Sequence, residues 1–348
     1  MSYFPRWRQV DDAVPGTLIA PDERLSWPKN WAMGAQHVVA MFGSTVLAPL
    51  LMGFDPNVAI LMSGFGTLIF FLFVGGRVPS YLGSSFAFIG GVVAVTGYAG
   101  SGANANIGVA LGAIIACGVV YTLIGLVVWA AGKGGARWIE ALMPPVFRIE
   151  AMSLIAPVAI ILVAENLGHV KAVAAMTGRP MDQYMGRAFV GDGVATMVSG
   201  AVGGTGVTTY AENIGVMAVT RIYSSLVFVL AALIAIVLGF SPKFGALIQT
   251  IPGPVLGGMS VVVFGLIAIA GARIWVVNKV DFSDNRNLIT AAVTLVLGAG
   301  DFTLKFGGFH LGGIGTATFG AILLYALLRA GGRAPVGATP SADAEDAR

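Results

Sequence analysis

Seven stretches of this chain, 30–53, 56–76, 78–132, 193–211, 222–242, 244–272 and 306–328, contain no Asp, Glu, Lys or Arg. About 20 apolar residues carry a helix across the hydrocarbon of a bilayer, where unpaired backbone groups find no water. Runs of this length therefore fold as spanning helices, and 78–132 has room for two. Only 11% of residues are charged and 56% are hydrophobic, whereas a soluble domain is about a quarter charged. The chain reads as an all-α polytopic membrane protein with the lipid bilayer as its first partner. A net charge of +3 is too small to imply nucleic acid. The single cysteine, Cys117, excludes an internal disulfide and reads as core packing. Three scattered histidines and one cysteine form no metal-ligand spacing, and no nucleophile–base constellation marks an enzyme.

Basic residues orient the spans. With Arg6, Arg8, Arg24 and Lys29 in the cytoplasm, crossings fall at 30–52, 57–75, 79–98 and 107–131, and Arg77, Lys133 and Arg137 return to that side. Crossings at 151–170, 187–203, 206–220, 224–240, 247–272, 287–300 and 312–329 keep most remaining basic residues inside, leaving Lys243 and Lys305 outside. The halves do not join. Residues 138–150 hold Glu140, Arg148, Glu150 and Pro144-Pro145, a poor crossing helix. Either an odd number of spans is missing near Pro145 or this stretch crosses in an irregular, protein-buried form. Residues 1–29 read as a cytoplasmic N-terminal segment without a cleavable signal, and 331–348 as a disordered cytoplasmic tail.

The pentapeptide Ala-Glu-Asn-Leu/Ile-Gly occurs at 164–168 and again at 211–215. An ionisable group at bilayer depth costs about 2.5–3.5 kcal/mol or more, so it faces a cavity, a partner or a ligand. Glu165 and Glu212, in matching local sequence, point to one site lined by two spans. Two segments, 79–91 and 203–215, mix Gly, hydroxylated and aromatic residues. Such composition suits a short extended stretch leading into a half-helix, buried or lining a cavity. Interrupted spans in corresponding positions of two halves indicate a transporter with inverted repeats. Gly43 and Gly125 read instead as helix-packing positions. Asp192 and Asp301 read as span-end residues, and His310 as structural or solvated.

Burial disfavours the charged form of a carboxylate, and imidazole titrates near neutrality. His169 lies four residues after Glu165 and shares its helix face. The pair is a candidate for proton coupling; the alternative is that His169 only bonds a carbonyl. For His37, a structural bond and a direct role stand equally.

Gln36-His37 with Met41-Phe42-Gly43, the run Val78 to Phe88, Ala164 to His169, and Thr208 to Arg221 together resemble the nucleobase/ascorbate transporter family, which includes bacterial uracil and uracil–xanthine permeases. The likeness covers about 30–330 except at the junction. It implies fourteen spans in two inverted repeats, with a substrate-bearing core and a gate. About 11 of 14 spans would remain: core spans 1–4 in 30–137, an abnormal junction at 138–150 where spans 5–7 are missing, core spans 8–11 in 151–240, and gate spans 12–14 in 241–330. By resemblance, Glu165 and Glu212 contact substrate through side chains, joined by Phe86, Ser85, Tyr210 and the backbone at Ala211. Gln36, His37, Asn166, Asn213 and Thr220 are structural polar residues of the core. Glu at position 212 goes with uracil-type substrates in the family, where Gln goes with xanthine.

The resulting expectation is a proton-coupled uracil or xanthine permease of the bacterial inner membrane, both termini cytoplasmic, with no cofactor beyond the proton and a homodimer as the family's common state. Carboxylates offer acceptors to the N–H edge of a flat base. A transport-deficient remnant or regulatory membrane subunit is the alternative, because the gate is incomplete. An anion exchanger is disfavoured by two site glutamates.

Overall fold

The computed structural model describes residues 3–10, 16–100, 102–132, 156–277, 279–300, 302–306 and 309–331. The junction 138–150, Asp301 and the tail from 332 lie outside the described residues. Helices dominate. In the first half they are α1 (Trp27–Met52), α2 (Pro56–Val74), α3 (Ala87–Thr96) and α4 (Ile107–Ala130). After the junction come α5 (Ala156–Thr177), α6 (Met185–Ala201), α7 (Ala211–Thr220) and α8 (Ser225–Gly239). The last group is α9 (Pro242–Gln249), α10 (Gly253–Val277), α11 (Asn285–Ala299) and α12 (Gly313–Gly331). Among the described residues, α1, α2, α4 and α5 are long and apolar enough to cross a membrane singly, and α8 with α9 passes as a pair bent by 80°. Chain composition and these helices make the protein a multi-pass membrane protein.

Local chemistry sets the helix ends. Asp55 accepts from Asn57 N at the start of α2, Pro56 fits its first turn, and Gly53 and Gly75 close α1 and α2 in left-handed conformation. The span expected at 247–272 is not continuous: α9 stops at Gln249 and α10 starts at Gly253. Pro252 stands in the break and Pro254 in the first turn of α10, where a missing N–H costs nothing; a helix running through both would lose backbone bonds.

The core forms where α4 packs along α6 and α2 along α8 and α6. Gly125 serves that packing as expected, because a Cβ there would stand 2.6 Å from Val190 N on α6. Cys117 is fully buried in the same region. The helices α10 and α12 lie against α7, α5 and α3, beside the interrupted spans. The N-terminal segment is ordered over its described part: β1 (Arg8–Gln9) pairs in parallel with β2 (Glu23–Arg24). A short hairpin, β5 (Leu304–Phe306) with β6 (Phe309–Leu311), precedes α12.

Candidate functional site

Both interrupted spans take the expected form. In each, three extended residues precede a ten-residue half-helix: β3 (Leu82–Ser84) before α3 and β4 (Val207–Thr209) before α7. The strands pair antiparallel, with Leu82 opposite Thr209, Gly83 opposite Thr208 and Ser84 opposite Val207, and all six residues are buried. Lone strand edges at membrane depth would leave donors unmet. Hydroxyls of the neighbouring helices meet them. Leu82 N donates to Thr67 Oγ1 of α2 at 2.9 Å, and Val207 N donates to Thr196 Oγ1 of α6 at 3.2 Å. Tyr210 locks the crossing: its hydroxyl donates to Ser84 O at 2.8 Å and accepts from Thr45 Oγ1 at 3.2 Å. Its ring needs the space at Gly83, where a Cβ would fall 2.5 Å from it.

Around this crossing the two pentapeptides converge. Glu212 occupies the first turn of α7, where the positive end of the helix favours a carboxylate. It accepts a hydrogen bond from Ser44 Oγ of α1. Glu165, on α5, lies within electrostatic reach of both Glu212 and Asp192. Both glutamates are half-buried. The neighbouring asparagines are fully buried and fasten each motif to its own partner. Asn166 Nδ2 donates to Asp192 Oδ2 at 2.6 Å, while Asn213 Nδ2 reaches His37 Nδ1 at 2.9 Å and His37 O at 3.1 Å. The His37 ring also packs on Phe228, with centroids 4.6 Å apart. His169 Nδ1 lies 2.8 Å from Thr209 Oγ1, so this imidazole touches the strand of the crossing. Among the described residues, Asn166 Oδ1, Asn213 Oδ1, Asp192 Oδ1 and His37 Nε2 are buried without a hydrogen-bond partner in the protein.

The other expected site residues divide. Phe86 and Ala211 are half-buried at the starts of the half-helices. Ser85 is buried, its Oγ accepting from Ala87 N at 3.2 Å and its N–H donating to Gly206 O at 2.9 Å. Tyr210 is buried with its hydroxyl fully engaged, and acts as a brace in this structure. Thr220 closes α7 by bonding Val216 O at 2.8 Å. Gln36 is a correction: it is exposed rather than part of the polar core. The buried face of α1 runs through Gly34, His37, Val38 and Met41 at helical spacing, and Gln36 lies off it.

Asp192 is a second correction. It is not at a span end but fully buried within α6, where Asn166, Tyr121 and, more weakly, Thr208 at 3.5 Å donate to it. Its signal was available: Gly191-Asp192-Gly193 stands more than a helical turn past Arg187. Ser44 carried no signal, being one of two adjacent hydroxyl residues, with Thr45, in an apolar stretch of α1.

Comparison with known proteins agrees with this architecture. The Permease family model (Xan_ur_permease) matches residues 28–156 and 136–306. The RutG protein of Escherichia coli (strain K12), by its name a candidate pyrimidine permease, is 55% identical, covering 93% of this chain and 95% of that protein. Proteins named uracil permease from Paenibacillus larvae subsp. larvae and Bacillus subtilis (strain 168) are 34% and 30% identical, over 88% and 86% of this chain and 96% and 93% of their own. The RutG alignment runs over 423 positions, more than the 348 residues present here, so part of that relative has no counterpart in this chain. The chain belongs to the Permease family and is a membrane transport protein rather than an enzyme.

Proposed function

We propose that this chain is a proton-coupled nucleobase permease, with uracil as its first substrate and xanthine as its second, acting in the bacterial inner membrane with both termini cytoplasmic. The observation that carries the reading is the convergence of Glu165 and Glu212 at a crossing of two half-helices. Carboxylates there accept from the ring N–H groups of a flat base, and charge assistance strengthens those bonds in a low-dielectric setting. The N-terminal end of α7 presents backbone N–H groups toward the base carbonyls. No side chain of its N-cap residue, Tyr210, occupies them. The names of the relatives, uracil permease and pyrimidine permease, support the same substrate class.

In this reading Glu165 and His169 carry the proton, and a homodimer is the working unit. Radiolabelled uracil uptake, with and without a proton ionophore, tests it: accumulation should collapse with the ionophore, and xanthine should compete more weakly than uracil.

A second reading follows from the unmatched stretch of the relatives. The two matched segments meet over 136–156, where the charge pattern is met either by an irregular crossing or by an odd number of absent spans, which by the family resemblance are gate spans 5–7. Alternating access moves one domain against another, so the chain would be a permease that binds without transporting. Saturable uracil binding with no proton-dependent uptake selects this second reading.

A further inference from the structure

The two half-helices end alike but are fastened differently. Helix α3 ends in Thr96-Gly97, with Gly97 at φ 65°, and α7 ends in Thr220-Arg221, with Arg221 at φ 58°. Glycine enters this left-handed region freely, whereas a residue with a Cβ is strained in it. Something must therefore hold Arg221 in place. Both terminal threonines bond back along their helices, Thr96 to Val92 O and Thr220 to Val216 O. On α3 the remaining anchorage comes from the loop into α4. Asn104 Nδ2 donates to Thr96 Oγ1 and to Met52 O, both at 3.0 Å, and Asn106 Nδ2 donates to Thr96 O at 2.9 Å. The connection from α7 to α8, residues 221–224, is too short to form such a loop.

The N-terminal segment stands in its place. Ile19 N donates to Arg221 O at 3.0 Å, and Ile19 O accepts from Tyr223 N at 2.8 Å. The Arg221 guanidinium reaches Gly16 O at 3.3 Å. Pro21 O accepts from Ser225 N at 3.1 Å and from Ser225 Oγ at 2.9 Å. Only 2% of Ile19 is exposed. The segment is itself held elsewhere: Trp7 Nε1 donates to Ser225 Oγ at 3.0 Å, Asp22 pairs with Arg179 at 2.7 Å, and Leu25 exchanges two hydrogen bonds with Asn30 of α1.

The geometry points to residues 19–25 as a strap that does for α7 what Asn104 and Asn106 do for α3, fixing the half-helix that carries Glu212 and Asn213. Ile19, Pro21 and Arg221 are positioning residues, acting only through the orientation of α7. At its other end α7 is tied by Tyr210 N donating to Tyr81 O at 3.0 Å. Slack at Arg221 therefore becomes tilt at Glu212. The consequence for substrate rests on the nucleobase reading above; the consequence for α7 does not.

Hydrogen exchange measured by mass spectrometry on the full chain tests the strap, comparing wild type with Ile19→Pro, which removes the N–H given to Arg221 O, and with the milder Ser225→Ala. Amides in 211–220 should exchange about ten-fold faster in the variants while those in 87–96 stay unchanged. Uracil Kd should rise about five-fold or more in step. Arg221→Gly, which accepts this backbone without strain, should exchange more slowly over 211–220 than Arg221→Ala. Unchanged exchange in α7 for both strap variants overturns the inference, as does equal acceleration of α3 and α7. If wild type binds no uracil, the substrate reading falls, and the exchange pattern still decides the strap.

Discussion

Asn166 Nδ2 lies 2.6 Å from Asp192 Oδ2, and this bond ties the first Ala-Glu-Asn motif to α6. Tyr121 adds a second bond to the same oxygen at 3.3 Å. Removing the carboxylate strands the amide and weakens the hold on the phenol, a loss of about 1–3 kcal/mol for each buried group left unmet. Asp192→Ala should lower the unfolding temperature in detergent and weaken uracil binding, with Asp192→Asn doing less because it keeps an acceptor oxygen. A thermal melt of Asp192→Ala matching wild type would contradict this role.

Ser44 aims the Glu212 carboxylate from α1. A hydrogen bond to a charged group is worth about 1.5–3 kcal/mol, so Ser44→Ala should weaken uracil binding by roughly ten-fold or more with the fold intact. Equilibrium binding together with a melt separates the two effects, and an unchanged Kd would show that Glu212 needs no such support.

Two glycines should respond in opposite directions. A Cβ at Gly125 meets backbone, 2.6 Å from Val190 N, whereas a Cβ at Gly215 meets nothing within 4 Å. Gly125→Ala should destabilise by about 1–3 kcal/mol through overpacking of α4 on α6. Gly215→Ala should be neutral or stabilise by up to about 1 kcal/mol, because alanine favours the helix. Denaturation in mixed micelles reads both.

His169 separates brace from proton carrier. Its Nδ1 lies against Thr209 Oγ1 at 2.8 Å, and glutamine can replace that bond but cannot titrate. If His169 carries the proton, His169→Gln should still bind uracil yet lose ionophore-sensitive accumulation. Full proton-dependent uptake by this variant would leave the imidazole as a brace.

Much of this was legible in the chain. Runs without charge fix the helical membrane class, and the Gly, Ser and Thr content of 79–91 and 203–215 marks the extended breaks. The repeated pentapeptide points to Glu165 and Glu212 as a pair, and α5 and α7, which carry them, lie against each other. What remained hidden depends on contacts between distant elements. The pairing of Leu82 with Thr209 and the support from Thr67 and Thr196 need the three-dimensional crossing. Asp192 looked like a span end because it falls in the first third of the expected crossing 187–203, yet α6 buries it beside Asn166. Gln36 was placed in the polar core by family resemblance, yet it lies off the buried face of α1 that holds His37. Residues 19–25, Ile-Ala-Pro-Asp-Glu-Arg-Leu, show no helical or strand period, and only the backbone of Arg221 to Ser225 shows what they hold.

The most direct test of the central claim is calorimetric titration of the purified chain with uracil, beside Glu165→Gln and Glu212→Gln. Wild type should bind saturably, each substitution should abolish uracil binding or shift it toward purines, and both variants should melt near wild type. Wild-type uracil affinity in both variants would contradict the account.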